Sequence, residues 1–247
     1  MKVLGIIPSR YESSRYPGKP LIDIAGKTMI QRVYEQTKKS VLINELVVAT
    51  DDDRIFKHVQ SFGGNVVMTS SSHTSGTDRC GEVIEAYPEF DIVINIQGDE
   101  PLINPQQLDD VIGLFQHKTT QIGTLVKQMT TIDEVLNLNR VKVVLNHEKN
   151  GIYFSRSPIP YIANTNQNEW LNKAKFWKHI GIYAWRIDVL KAIVKLPKTE
   201  LEQQESLEQL RWLYNGYKIA TVETKIETPN IDVPEDLEKV LSLLQKD

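Results

Sequence analysis

Short Val- and Ile-rich runs alternate with longer amphipathic stretches through the first half of the chain, and this alternation most restricts the fold. Residues 3–8, 45–50, 65–68 and 92–97 are bounded by polar residues and read as buried strands. Between them, 29–39, 53–62 and 78–86 read as helices. A strand–helix–strand order of this kind predicts a mainly parallel sheet with helices on both faces. Each crossover is expected to be right-handed.

The pattern shifts after about residue 116. Residues 122–128 and 141–145 read as strands, and His147-Glu148-Lys149-Asn150-Gly151 as a polar turn that lets 151–155 pair back as a hairpin. Residues 161–175 are polar, lack apolar periodicity and read as a surface loop. A strand over 178–185, helices over 188–194 and 203–214, a strand over 219–223 and a closing helix over 234–245 complete the chain. There is no repeat or linker, so the whole chain, 1–247, reads as one domain. Its core spans about 1–120 and 186–247, and a mixed-sheet lobe of about 121–185 is inserted between them.

Composition narrows the function. A net charge of −3 argues against non-specific nucleic-acid binding, which needs surplus cations to displace counterions. A local cationic pocket for a small anion remains compatible with it. The single cysteine, Cys80, forbids an internal disulfide and a cysteine-built metal site. The apolar run at 3–7 is too short for a signal peptide or a membrane span, so a cytoplasmic protein without membrane contact is expected.

In open parallel sheets ligands bind beyond the carboxyl ends of the strands. After the first strand come Arg10, Arg15 and Lys19 within ten residues, separated by Ser and Gly, a composition suited to wrapping phosphates. This is neither a Walker A loop nor a dinucleotide fingerprint. After the 92–97 strand comes Gly98-Asp99-Glu100-Pro101, whose aspartate is a natural ligand for Mg²⁺ bridging substrate phosphates. The plainer reading is a turn aspartate satisfying backbone amides. Ser75-Gly76-Thr77-Asp78-Arg79 either binds a base or phosphate or caps a helix, and Asp232 reads locally as a helix cap. His179 reads as a structural histidine, while Glu208 and Gln209 face either a pocket or water.

Taken in order, these segments resemble one family. Arg10-Tyr11, Pro17-Gly18-Lys19-Pro20-Leu21, His73 to Arg79, Gln97-Gly98-Asp99-Glu100-Pro101, Val141-Lys142-Val143-Val144, Tyr153-Phe154-Ser155-Arg156, His179-Ile180-Gly181-Ile182-Tyr183, Leu207 to Arg211 and Asp232 to Leu237 are similar to the 3-deoxy-manno-octulosonate (Kdo) cytidylyltransferases. The resemblance runs nearly end to end. It implies a nucleotide-binding, Rossmann-like α/β sheet whose mixed lobe serves dimerisation and sugar binding. It also implies transfer of CMP from CTP to the anomeric hydroxyl of Kdo with release of pyrophosphate, for lipopolysaccharide synthesis, by a Mg²⁺-dependent cytoplasmic homodimer.

Carried over by position, the resemblance implies that Arg10 and Lys19 hold the triphosphate with Arg15 assisting. Thr74, Ser75, Arg79 and Gln97 fall around the nucleotide, and Asp99 and Asp232 match the metal ligands, which replaces the cap reading of Asp232. Arg156, His179, Tyr183, Glu208 and Gln209 match the sugar-acid pocket, Arg156 as partner for the Kdo carboxylate. The chain departs from the family where Lys27-Thr28-Met29-Ile30 lacks a helix-starting proline and where Asn137-Leu138-Asn139-Arg140 replaces Asn-Pro-Asn. Two alternatives stand beside this reading: an enzyme activating 8-amino-Kdo or another acidic sugar, and a non-catalytic nucleotide- or sugar-binding protein.

Overall fold

The computed structural model describes residues 1–12 and 16–244. Eleven strands form in chain order: β1 (Val3–Ser9), β2 (Asp23–Ile24), β3 (Lys27–Thr28), β4 (Glu45–Thr50), β5 (Val66–Met68), β6 (Ile92–Asn95), β7 (Ile122–Gln128), β8 (Lys142–Leu145), β9 (Asn150–Ser155), β10 (Trp177–Arg186) and β11 (Ile219–Glu223). The helices are α1 (Met29–Thr37), α2 (Asp53–Ser61), α3 (Gly76–Val83), α4 (Pro105–Gly113), α5 (Ile132–Leu136), α6 (Trp170–Lys173), α7 (Ile187–Ile193), α8 (Glu200–Glu205), α9 (Gln209–Tyr214) and α10 (Asp236–Leu244). β2 and β3 make a small hairpin, and the other nine strands join one sheet in the order β5-β4-β1-β6-β10-β7-β11-β9-β8.

The sheet has two unlike halves. β5, β4, β1 and β6 are all parallel, as the alternation predicts. From β6 onward the pairing is mostly antiparallel, with β7 and β11 the one parallel pair. β10 is long enough for several partners: its carboxyl end lies on β6 and its amino end on β8, so five strands curl back on themselves. The mixed region therefore continues the parallel sheet edge to edge. β11, grouped by sequence with the core, lies between β7 and β9. Pairing partners far apart in the chain decide that placement, and local pattern carries no trace of them.

Alternation along β1 builds a core on each face. Val3 and Ile7 pack with Met29, Ile30, Ile55, Val111 and Val240 from α1, α2, α4 and α10. Leu4 and Ile6 pack with Cys80, Val83, Leu190, Trp185 and Trp212 on the α3, α7 and α9 side.

Three local expectations change. The single helix expected over 203–214 is two, broken at Ser206, which takes a left-handed φ of 52° that a continuous helix forbids. The stretch 161–175 contains α6, whose Trp170 is buried on Phe176, Met129 and Val135 in a small core of its own. α4 was absent from the sequence reading, although Asn104 caps it and Pro105 opens it. The proline missing before α1 is offset by Thr28, whose hydroxyl accepts from the Gln31 amide at 3.4 Å.

Candidate active site

A cleft of about 680 Å³ opens at the carboxyl ends of β1 and β6. Arg10, Glu12 and Lys19 follow β1; Gln97, Gly98 and Asp99 follow β6; Ser75 to Thr77 open α3; Gly181 and Tyr183 come from β10, and Glu208 and Asp232 complete the wall. Two glycines make the geometry possible. Gly18 has φ +72°, and a Cβ there would also meet the Tyr11 hydroxyl oxygen at 3.0 Å. A Cβ on Gly98 would stand 2.9 Å from the Pro8 carbonyl oxygen, so only glycine lets the two strand ends approach this closely.

Lys19 is the centre of the charged wall. Its Nζ donates to Asp99 Oδ2 at 2.8 Å and lies 3.6 Å from Asp232 Oδ1. Two carboxylates 133 residues apart in the chain thus face one cation. In the first turn of α10, Asp236 Oδ2 accepts from the Asp232 and Val233 amides at 3.0 and 3.2 Å, which ties the backbone at Asp232 to the helix. Among the described residues, no group of three or more His, Cys, Asp or Glu is placed to hold a metal by itself.

Ser75 serves as cap and wall together: its Oγ accepts from the Asp78 amide at 3.0 Å at the amino end of α3. Gln97 Nε2 donates to the Gly181 carbonyl at 2.7 Å, locking the loop after β6 to β10. The register of β10 against β7 shifts between Ile180 and Tyr183, a bulge of the kind that re-aims side chains beside sites. In regular strand the Cα atoms of residues four apart stand about 13 Å from one another. Here the His179 and Tyr183 rings are 5.2 Å apart between centroids. Burial, helped by the Lys178 charge, brings the His179 pKa down to about 3, so its ring is neutral at pH 7. Burial also pushes Glu208 upward, against the hydrogen bond it accepts from Thr77 Oγ1 at 2.5 Å.

Ser9 Oγ, Tyr183 Oη and Gln209 Nε2 are buried without a hydrogen-bond partner among the described residues. Native interiors rarely leave such groups unpaired, so atoms of this kind at a cleft point to a polar ligand. Ser9, Glu12 and His73 line the cleft and were not singled out from sequence. Ser9's signal was its position as the last residue of a buried strand.

Several expected residues lie elsewhere. Arg79 edges the cleft, but its guanidinium is held by Asp51 Oδ2 at 2.8 Å and by Thr69 Oγ1. Thr74 is not in the wall and places its hydroxyl 3.3 Å from Asp78 Oδ2. Arg156 does not reach the cleft wall, because its Nε donates to the Glu205 carbonyl at 2.7 Å and its Nη2 to the Ser206 carbonyl at 3.5 Å, at the α8–α9 break. His179 borders a second, smaller cavity that shares Gly181 with the cleft, and Gln209 is buried and lines neither. Arg15 lies outside the described residues. Cys80 is buried with its thiol pKa pushed up by burial, which removes it as a nucleophile.

A profile of the cytidylyltransferase family matches residues 4–219. A 3-deoxy-manno-octulosonate cytidylyltransferase from Parabacteroides distasonis is 53% identical over 99% of this chain and 98% of its own length. One of the same name from Bacteroides thetaiotaomicron is 52% identical over 99% of each chain. The chain belongs to the 3-deoxy-manno-octulosonate cytidylyltransferase family. A solved CMP:2-keto-3-deoxy-manno-octonic acid synthetase complexed with CTP superposes with a TM-score of 0.93 at 45% identity, covering 100% of this chain and 99% of that one. The α/β nucleotidyltransferase fold expected from the sequence is thus shared with this family.

Proposed function

We propose that this protein transfers the cytidylyl group of CTP to the anomeric hydroxyl of Kdo, giving CMP-Kdo and pyrophosphate. The observation that carries the reading is the convergence of Lys19, Asp99 and Asp232 at the strand ends of a full-length member of the family. The hydroxyl oxygen forms a bond to the α-phosphorus, the bond to the β-phosphate breaks, and the hydroxyl proton is lost. Both reactants are anions, so repulsion is a main obstacle. Arg10 and Lys19 face the triphosphate and offset it, and the fixed wall aligns the nucleophile.

Asp99 and Asp232 suit Mg²⁺, which is commonly held by one or two carboxylates with substrate phosphates filling the remaining positions. The Lys19 ammonium between them marks a place built for a cation. A bound Mg²⁺ supplies charge neutralisation at the phosphates. On the sugar side, Tyr183 and Glu208 offer a hydroxyl and a carboxyl, with Gln97 fixing the boundary toward the nucleotide. The reading extends to a cytoplasmic enzyme of lipopolysaccharide synthesis, Rossmann-like in its parallel half and binding sugar from its mixed half. It also extends to a homodimer, supported by exposed Leu136, Leu138 and Ile152 on the mixed half. A monomer in sedimentation at working concentration would overturn the dimer.

Pyrophosphate release measured with Kdo and each of CTP, UTP, ATP and GTP, with Mg²⁺ and with chelator, tests the reaction. Release is expected only with CTP, Kdo and Mg²⁺ together. Silence from a folded sample with that set overturns the assignment, and faster release with 8-amino-Kdo transfers it to that sugar.

A further inference from the structure

Asp232 stands on a chain segment, 224–235, that contains neither helix nor strand, yet its carboxylate must be placed within ångströms of Asp99. Something outside the cleft has to hold that segment. Short ties account for part of it: Gln107 Nε2 donates to the Ile226 carbonyl at 3.3 Å, Thr228 Oγ1 to Glu100 Oε2 at 2.8 Å, and the Ile231 amide to the Asp99 carbonyl at 2.9 Å. These last two stitch the segment to the strand end that carries Asp99.

The charged tie is of a different kind. Lys127 of β7 and Lys178 of β10 are direct cross-strand partners, and like charges so placed repel. Glu227 resolves the conflict. Its Oε2 accepts from Lys127 Nζ at 2.6 Å, its Oε1 from Lys178 Nζ, and Arg140 Nη1 reaches Oε1 at 3.4 Å. Lys178 is buried, so its bond to Glu227 is sheltered from solvent, while Lys127 and Arg140 approach from the more exposed side. Burial tends to raise the Glu227 pKa, but the hydrogen bonds from Lys127 and Lys178 carry it down to about 2. The carboxylate of Glu227 thereby nails an irregular segment to two central strands, five residues before Asp232.

We infer that Glu227, clamped by Lys127, Lys178 and Arg140, is a positioning residue that sets Asp232 opposite Asp99 for the metal. This rests on the metal reading of the two aspartates proposed above. Groups that orient metal ligands typically change metal affinity about 10- to 100-fold when removed. Lys178 also precedes His179 in the chain, so the same clamp fixes the strand that lines the sugar side.

The test is Mn²⁺ binding to the CTP-loaded protein without Kdo, read from the paramagnetic resonance signal of free Mn²⁺. Glu227→Gln is expected to weaken Mn²⁺ binding about 10-fold or more. CTP binding in chelator should stay at the parent value, and Glu227→Asp should recover part of the loss. A folded Glu227→Gln with parent Mn²⁺ affinity overturns the inference. If that variant does not fold, Lys127→Gln and Arg140→Gln each remove one partner of the carboxylate, and parent affinity in both overturns it equally. Asp232→Asn separates the two ideas. If it binds Mn²⁺ as the parent does, the metal reading itself fails; if it loses Mn²⁺ while Glu227→Gln does not, only the clamp fails.

Discussion

The parallel half of the sheet and its mixed half contribute to the same cleft by different means. In the parallel half, Arg10, Gln97 and Asp99 follow closely on the ends of β1 and β6, and Lys19 opens the short turn after the β1 loop. Their positions come from strand ends, which are rigid and set by hydrogen-bonded neighbours on both sides. In the mixed half, Gly181 and Tyr183 sit within a strand, beside the bulge between Ile180 and Tyr183. Glu208 enters the cleft just after the break between α8 and α9 at Ser206. Strand ends deliver charge to phosphates; a bent strand and a broken helix shape a pocket for a sugar.

The largest expected effect lies on the parallel side. Asp99→Ala should reduce turnover on the order of 10³-fold or more, comparable with losing a main electrostatic stabiliser of a transition state, while thermal unfolding stays cooperative. Near-parent rates from this variant would erase the division of labour between the halves.

A smaller and more discriminating effect is expected from Tyr183→Phe. A hydrogen bond is worth about 0.5–1.5 kcal/mol to a neutral group and about 1.5–3 to a charged one, so KM for Kdo should rise about 3-fold or more with the CTP dissociation constant unchanged. Because the Tyr183 hydroxyl is buried without a partner among the described residues, its loss should leave the melting temperature equal or higher. A lower melting temperature with unchanged KM would make Tyr183 a core residue only.

The smallest effect is on the pH profile of stability. The unfolded chain takes up a proton at His179 near the ordinary histidine value of 6.5, while the folded chain does not until about 3. Between those values the unfolded state binds more protons, so this group makes stability fall as pH falls. Glu100, raised to about 7 chiefly by burial with Asp99 adding to it, binds its proton in the folded state and acts in the opposite sense between about 4.5 and 7. Melting temperatures of a His179→Gln variant should therefore decline less on acidification from pH 6.5 toward 3 than the parent's. An identical decline would remove His179 from the account.

Much of the parallel half was legible in sequence. β4 runs over the residues that its apolar pattern marks, and β1 and β6 differ from expectation only at their last residues. The loops after β1 and β6 carry their charges in consecutive sequence, so their chemistry could be read without knowing which strands touch. The mixed half was legible as strands but not as a surface. Nothing local says that β10 pairs with β6 at one end and β8 at the other. Nor does anything local say that Arg79 is claimed by Asp51, or that Arg156 turns toward Glu205 rather than the cleft.

What the sequence determined by itself was the alternation that makes a parallel sheet, the charged loops at its strand ends and the family to which the ordered motifs belong. What only the tertiary structure decided was convergence: Asp99 with Asp232 on Lys19, and Glu227 between two lysines from neighbouring strands. The physical reason is range. Periodicity, caps and turns act over a few residues and are written locally. Electrostatic and packing partners are chosen by distance in space, which a chain sets only once its strands have paired.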